Sequence, residues 1–406
     1  MPVLRNISQL ATCPSATPQQ DAGLINNAAI VWIDDTIRWV GPYQELPAEF
    51  HTETAVDCER RLVVPGLVDC HTHLCFGGWR GDEFEMRLQG ASYQEIAAAG
   101  GGISSTVAAT RGASLGKLQR KAKRSLDGML ALGITTVECK SGYGLDESNE
   151  LKQLEVYRRL NESHDVDLVA TFLGAHIIPP EHRSNRNRYI DLLCDVLIPR
   201  VANEGLAQFC DVFVENGAYT AAEARQILTT AANHGLGIKI HADQLSDGGG
   251  ASLAAELNAV SAEHLEYINE VGIRALANSG TVAVSLPLAS LYLREPYMPA
   301  RKMLDQGVAV AVATDFNPGS APSFHLPMAM TLACLNQGMT PQESLNGATS
   351  IAAKAIRAED RIGSLLPGFQ ADLAIIDMPS LNQWLYHFQP NACTAVIKRG
   401  KWVHSA

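Results

Sequence analysis

Leu62-Val63-Val64-Pro65-Gly66-Leu67-Val68-Asp69-Cys70-His71-Thr72-His73 is an apolar run that ends in two imidazoles. A short apolar segment bounded by polar residues predicts a buried strand over 63–69. In an extended chain, residues two apart point to the same side, so His71 and His73 share a face. Two neutral imidazole nitrogens on one face can converge on a divalent metal. Taken alone, the pair is equally compatible with two unrelated histidines at the start of a loop.

Downstream, short apolar runs alternate with helical patterns. Strands are predicted over 135–140, 167–173, 210–215, 237–241, 260–264, 281–285 and 309–314. Asp146 to Glu162 is a helical stretch, with Leu151, Leu154 and Tyr157 on one face and Glu155 four residues before Arg159. Eight strand–helix repeats over roughly 300 residues predict a (β/α)8 barrel. The Gly-rich Ala99-Gly100-Gly101-Gly102-Ile103 lacks the spacing and the preceding strand of a dinucleotide fingerprint, and reads as a flexible loop over the barrel mouth.

Both ends of the chain look different. Ala29–Ile33 and Thr36–Val40 flank Asp34-Asp35, a hairpin signal. Ala371–Asp377 and Ala395–Val403 are also strand-like. The ends therefore predict a small composite β-sandwich built from 1–62 and 363–406, beside a barrel spanning 63–362.

Composition narrows the partners. The 406 residues carry a net charge of −11, which argues against nucleic acid, whose phosphates need a basic face. The basic cluster from Lys117 to Arg124 reads as the solvated side of a helix. Nine cysteines, an odd number without CxxC pairs, predict free thiols in a reducing compartment rather than a disulfide framework. Cys70 and Cys75 flank the histidine pair but read as small buried hydrophobes. The N-terminal residues lack the apolar core of a signal peptide, and no run approaches a membrane span. A cytoplasmic protein without membrane contact is expected.

Barrel chemistry sits where the strands end. The predicted ends carry His71 and His73; Glu138-Cys139-Lys140; His176; Glu215; His241; Glu263-His264; Ser285; and Asp315. Five of the 12 histidines fall at or just beyond strand ends, which packing does not explain. The simplest metal site combines His71, His73, His241 and Asp315, donors that suit one zinc or iron ion. His264 could be a fifth ligand or could hold the attacking water; both readings stay open. Such a metal would lower the pKa of water from about 15.7 to about 7, with Asp315 and His264 as the proton-handling residues. A carboxylated Lys140 bridging two metals is the alternative. Strand four offers Glu215 rather than a lysine, which favours one metal.

These residues resemble the amidohydrolase superfamily: Pro65-Gly66-Leu67-Val68-Asp69-Cys70-His71-Thr72-His73, His241, His264, Asp315 and the terminal Pro367-Gly368-Phe369-Gln370-Ala371-Asp372. Longer motifs are similar to one branch, which hydrolyses 4-imidazolone-5-propanoate to N-formimidoyl-L-glutamate in histidine breakdown. They are Gly77–Tyr93, Lys140–Leu145, Phe172–His176, His241–Gln244 and Thr314–Ser320. The resemblance covers nearly the whole chain. It implies a barrel with a composite β-sandwich, one zinc or iron ion on His71, His73, His241 and Asp315, and, by analogy, a homodimer. It also implies substrate contacts from Arg80, Tyr143, His176, Gln244, Asn317, Gly319 and Ser320.

The chemistry of those residues agrees. A buried carboxylate wants a guanidinium fork, and Arg80 lies seven residues past His73. Tyr143 can add a phenol hydrogen bond, and His176 can donate to a developing oxyanion. Asn317 and Gly319 could instead only shape a turn around Pro318. Some members of the branch carry Glu where this chain has Gln244. Gln cannot act as a base, so base work falls to Asp315, His264 or both. A purine or pyrimidine deaminase would use the same ligands, but a neutral base needs no carboxylate fork. A non-catalytic scaffold should have lost ligands, and none is missing.

Overall fold

Gly66 divides the run from Leu62 to His73 between two sheets. A Cβ at position 66 would fall 2.4 Å from Thr135 Oγ1. Glycine lets the backbone pass from one sheet to the other at this close approach. The expected strand over 63–69 is therefore two strands, Leu62–Pro65 and Leu67–Thr72. The computed structural model describes residues 2–91, 95, 100–387 and 389–405. Ser92 and Tyr93 of the motif quoted above, and Ala99 of the Gly-rich run, lie outside the described residues.

The two chain ends pair into one sheet. Strands β1 (Pro2–Ala11), β2 (Leu24–Ile33), β3 (Thr36–Pro42), β4 (Thr54–Asp57) and β5 (Leu62–Pro65) come from the N-terminal side. Strands β14 (Leu373–Ile376), β15 (Cys393–Lys398) and β16 (Lys401–Ser405) come from the C-terminal side. Their order is β16-β15-β14-β5-β1-β2-β3, with β4 beside β1. Asp34, with φ +54°, makes the tight turn between β2 and β3. Hydrogen bonding is continuous through this sheet, which encloses a separate apolar core of Leu4, Ile7, Leu10, Ile30, Trp32, Val63, Leu373 and Ile397. Trp32 is fully buried, and its indole N–H donates to Gly400 O at 3.0 Å. In pairing terms Leu62–Pro65 belongs with this sheet, so residues 63–65 of the span expected for the barrel pair with the chain ends instead.

The second sheet is the barrel. It comprises β6 (Leu67–Thr72), β7 (Ile134–Lys140), β8 (Asp167–Ala175), β9 (Phe209–Val214), β10 (Gly237–Ala242), β11 (Ser261–His264), β12 (Val282–Ser285) and β13 (Val310–Val312). Each strand runs parallel to the next, from β6 to β13. The ring closes where Asp315 N donates to His71 O (3.1 Å) and His73 N to Phe316 O (2.9 Å). Outer helices are started by side-chain caps: Ser114 for 115–131, Asp146 for 147–163, and a Thr220–Glu223 capping box for 221–233. No helix among the described residues is long and apolar enough to cross a membrane. All nine cysteines are unpaired, and Cys70 and Cys75 are buried.

Branched apolar side chains usually fill such a barrel. Here the inward positions of several strands are polar. Asp69, Glu138, Lys140, Thr171, Asp211, Lys239, Ser261 and Glu263 are all fully buried. Asp69 and Lys239 stand two residues before His71 and His241, and Glu138 with Lys140 and Ser261 with Glu263 share that spacing, the side that period-two alternation turns inward.

Candidate active site

The five strand-end histidines and Asp315 meet at the barrel mouth. His71 Nε2 lies 3.4 Å from Asp315 Oδ1, and His73 Nε2 lies 3.5 Å from the same oxygen. His241 Nε2 is 3.4 Å from His73 Nε2. The His264 ring sits 5.4 Å from that of His241 and 5.7 Å from that of His71. His176 stacks on His73 at 5.3 Å. Strict alternation would send His264 and its neighbour Glu263 to opposite sides. His264 has φ +79° and Leu265 φ +67°, and this left-handed turn brings both side chains to the axis. Asp315, with φ +55°, is turned in the same way. Non-glycine residues held there cost about 1–3 kcal/mol each and collect at functional sites.

Hydrogen bonds set the histidine tautomers. His71 Nδ1 is 2.5 Å from Glu263 Oε2, and His241 Nδ1 is 2.9 Å from Asp211 Oδ2. Each carboxylate keeps the proton on the Nδ1 that faces it and so aims the unprotonated Nε2 at the shared point. Burial opposes charge on His71, but the Glu263 and Asp315 carboxylates together outweigh it and lift the pKa to about 9. Burial lowers His73 well below its ordinary value, and takes His241 down to about 4 against the pull of Asp211. His71 Nε2 and Asp315 Oδ1 are buried without a hydrogen-bond partner. His71, His73 and Asp315 form one group able to hold a metal ion, and His71, His241 and His264 form another. Orphaned nitrogen and carboxylate donors around one point fit a small divalent cation.

Lys140 faces three carboxylates: Glu138 Oε1 (2.9 Å), Asp211 Oδ2 (2.9 Å) and Glu263 Oε2 (2.8 Å). Burial works against its charge, but Asp211, Glu138 and Glu263 outweigh that and hold the ammonium well above the ordinary lysine range. Carboxylation needs a neutral amine, so Lys140 is an ion-pair residue rather than a bridge between two metals.

A cavity of about 580 Å³ opens over the histidines. Arg80, Tyr143, His176, Gln244, Asn317, Gly319 and Ser320 all line it. Arg80 donates from Nε (2.9 Å) and Nη2 (2.6 Å) to Glu83 Oε2. Its Nη1 faces Gly319, where a Cβ would fall 2.1 Å away. Burial, and then the Asp315 carboxylate, push the Tyr143 phenol up, so it stays a neutral donor. Burial and the neighbouring His241 lower His176 to about 3. Asn317 uses its whole amide on the loop. Nδ2 donates to Asp315 O (2.7 Å) and Ser320 Oγ (2.8 Å), and Oδ1 accepts from Gly319 N and Ser320 N, both 2.7 Å. The geometry therefore makes Asn317 a turn-former that also lines the wall.

The sequence reading missed several residues that support this site. Glu83 grips Arg80, and its Oε1 accepts from Gly102 N at 2.9 Å, tying the end of the Gly-rich run to the guanidinium. Its position three residues after Arg80 on a helical pattern was the available signal. Asp211, Lys239 and Glu263 went unassigned. Their signal was a charge inside an otherwise apolar barrel strand.

A parallel barrel with its imidazoles at the strand ends, beside a sheet made from both chain termini, is the architecture of the amidohydrolases. The chain belongs to that family: the model of the Amidohydrolase family matches residues 62–403. An imidazolonepropionase from Geobacillus kaustophilus is 46% identical over 412 residues, covering 98% of this chain and 97% of its own length. One from Symbiobacterium thermophilum is 47% identical, covering 95% and 92%. Within the amidohydrolases, the chain belongs to the imidazolonepropionase family. Solved structures at low identity speak for the fold. An adenosine deaminase from Xanthomonas campestris with bound zinc has a TM-score of 0.73 at 18% identity, covering 100% of this chain and 93% of its own. A triazine hydrolase variant has a TM-score of 0.77 at 16% identity, covering 100% and 94%.

Proposed function

We propose that the chain performs its family's reaction on this site: hydrolysis of the cyclic amide C–N bond of 4-imidazolone-5-propanoate, giving N-formimidoyl-L-glutamate, in cytoplasmic histidine degradation. The observation that carries the reading is the juxtaposition of the histidine–Asp315 cluster with Arg80 in one cavity, in a chain related to imidazolonepropionases over its full length. His71, His73, His241 and Asp315 would hold one zinc or iron ion. Such an ion lowers the pKa of water towards about 7 and so supplies a nucleophile at neutral pH.

The remaining work belongs to side chains. Arg80 Nη1 takes the propanoate carboxylate, because Nε and Nη2 are already held by Glu83. That places the ring over the histidines, with its carbonyl carbon presented to the water. Asp315 accepts the water proton and returns it to the ring nitrogen as the C–N bond breaks. His264 orients the water from the opposite side. Neutral Tyr143 donates to the carbonyl oxygen as charge builds on it. The single proton of neutral His176 is on Nδ1, donated to Gly142 O at 3.1 Å, so in place of the donor role expected for it His176 offers Nε2 as an acceptor to the ring N–H. Gln244 orients the ring by hydrogen bonding and takes no proton. The assembly proposed is a homodimer, checked by sedimentation.

Freshly made 4-imidazolone-5-propanoate tests this reading. The protein loaded with zinc or ferrous iron should remove the ring's ultraviolet absorbance and yield N-formimidoyl-L-glutamate without ammonia. Ammonia release, or an intact ring, contradicts it.

A further inference from the structure

Beneath the histidines lies a layer of charge that hydrolysis does not itself consume. Glu263 and Asp211 each orient one histidine, His71 and His241. Both carboxylates also form ion pairs with the same ammonium, Lys140 Nζ, at 2.8 and 2.9 Å. Lys140 Nζ donates its hydrogen bond to Glu138 Oε1 at 2.9 Å. Glu138 touches neither histidine; it accepts from Thr171 Oγ1 and from Thr72 N. The other oxygen of Glu263 accepts from Lys239 Nζ (3.0 Å) and Ser261 Oγ (2.9 Å). Every member is fully buried.

We infer that Lys140 is the positioning residue of the metal site, the one group that locks both histidine-orienting carboxylates against each other. The ammonium lies within ion-pair distance of carboxylates on three different strands, β7, β9 and β11. A buried carboxylate free to rotate would let its histidine turn Nε2 away from the common point. Lys140 removes that freedom for His71 and His241 together, so the geometry of two ligands depends on one side chain that touches neither. Outer partners of metal-binding histidines are commonly worth about 10- to 100-fold in metal affinity.

Simple electrostatics gives the opposite sign. An ammonium beneath the histidines repels a cation, so its removal should tighten metal binding. Positioning predicts that removal weakens it. The sign decides between them.

The inference rests on reading His71, His73, His241 and Asp315 as ligands. The experiment is Zn2+ affinity, by competition with a chromogenic chelator, in the full-length wild type, K140M, E138Q and the K140M/E138Q double variant. K140M alone leaves buried Glu138 and Asp211 without a lysine partner, while Glu263 keeps Lys239; the double variant removes the Glu138 charge and keeps the local charge balance of the wild type. Far-ultraviolet circular dichroism checks that each variant is folded. The visible absorption of Co2+-loaded samples reports ligand geometry, which a purely structural role would leave unmoved.

E138Q leaves Lys140 both of its histidine-orienting partners, and its affinity should stay within about threefold of wild type. The folded double variant should bind Zn2+ about 10- to 100-fold more weakly, with a shifted Co2+ spectrum. Unchanged or tighter binding, with an unchanged spectrum, overturns the role of Lys140 alone. A wild type that binds no Zn2+ overturns the ligand reading, and this inference with it.

Discussion

Arg80→Met is the most informative single change in the cavity. Arg80 and Glu83 are nearly buried, with side chains 12% and 9% exposed. Methionine keeps most of the arginine stem but removes the guanidinium. One charge-assisted hydrogen bond to a carboxylate contributes about 1.5–3 kcal/mol. At 1.36 kcal/mol per decade, that is about 10- to 150-fold in kcat/KM. The loss should reach the upper part of this range or exceed it, because Glu83 is left unpaired and faces the substrate's own carboxylate. The double variant Arg80→Met, Glu83→Gln removes that repulsion. It should recover part of the loss yet stay at least about tenfold below wild type, because the contact itself is gone. Initial rates from the loss of ring absorbance give kcat and KM, and metal analysis of the same samples should show no change. Arg80→Met with kcat/KM within threefold of wild type would refute the carboxylate role. Full recovery in the double variant would show that Glu83, rather than a lost contact, caused the defect.

Three other outcomes follow from the same geometry. Gly319→Ala puts a methyl 2.1 Å from Arg80 Nη1, and Glu83 keeps the guanidinium from giving way. KM should rise by about tenfold with kcat within threefold, the pattern of lost uniform binding, and an unchanged KM would sink this. His264→Ala should lower kcat by about 10²- to 10⁴-fold. Near-normal turnover would show that Asp315 acts alone, and metal content measured alongside separates a ligand from a water-holder. His176, lowered to about 3 by burial and His241, is disfavoured in its charged form and stays neutral above about pH 4. His176→Asn should therefore lower kcat/KM by about 3- to 10-fold, the loss of one neutral hydrogen bond, by the same factor at pH 6 and pH 8.5. A tenfold change in that factor would show that the ring titrates in this range.

The eight barrel strands were legible because each is a short apolar run ended by polar residues, and the predicted spans lie within a few residues of the observed ones. The histidines and Asp315 were legible for the same reason, since strand ends are where a barrel presents its chemistry. Gly66 was not read as a break, because Leu62 to Asp69 has one uninterrupted apolar pattern and only the Thr135 side chain, 69 residues further on, forbids a Cβ there. The inward turn of His264 next to Glu263 is a backbone event, φ +79°, that alternation cannot foresee. Glu83 and Asn317 illustrate a different gap. Their residue types suit either substrate or scaffold, and only the hydrogen-bond partners assign Glu83 to Arg80 and the Asn317 amide to its own loop. The link from Lys140 to Asp211 and Glu263 joins three strands far apart in sequence, so spacing carries no trace of it.

The central claim is a single-metal hydrolytic centre on His71, His73, His241 and Asp315. Metal-free protein titrated with zinc or ferrous iron, with turnover of 4-imidazolone-5-propanoate measured at each addition, tests it directly. Activity should rise linearly and stop at one metal per chain, and Asp315→Ala should abolish the rise. A break at two metals per chain, or full turnover before any metal is added, would contradict it.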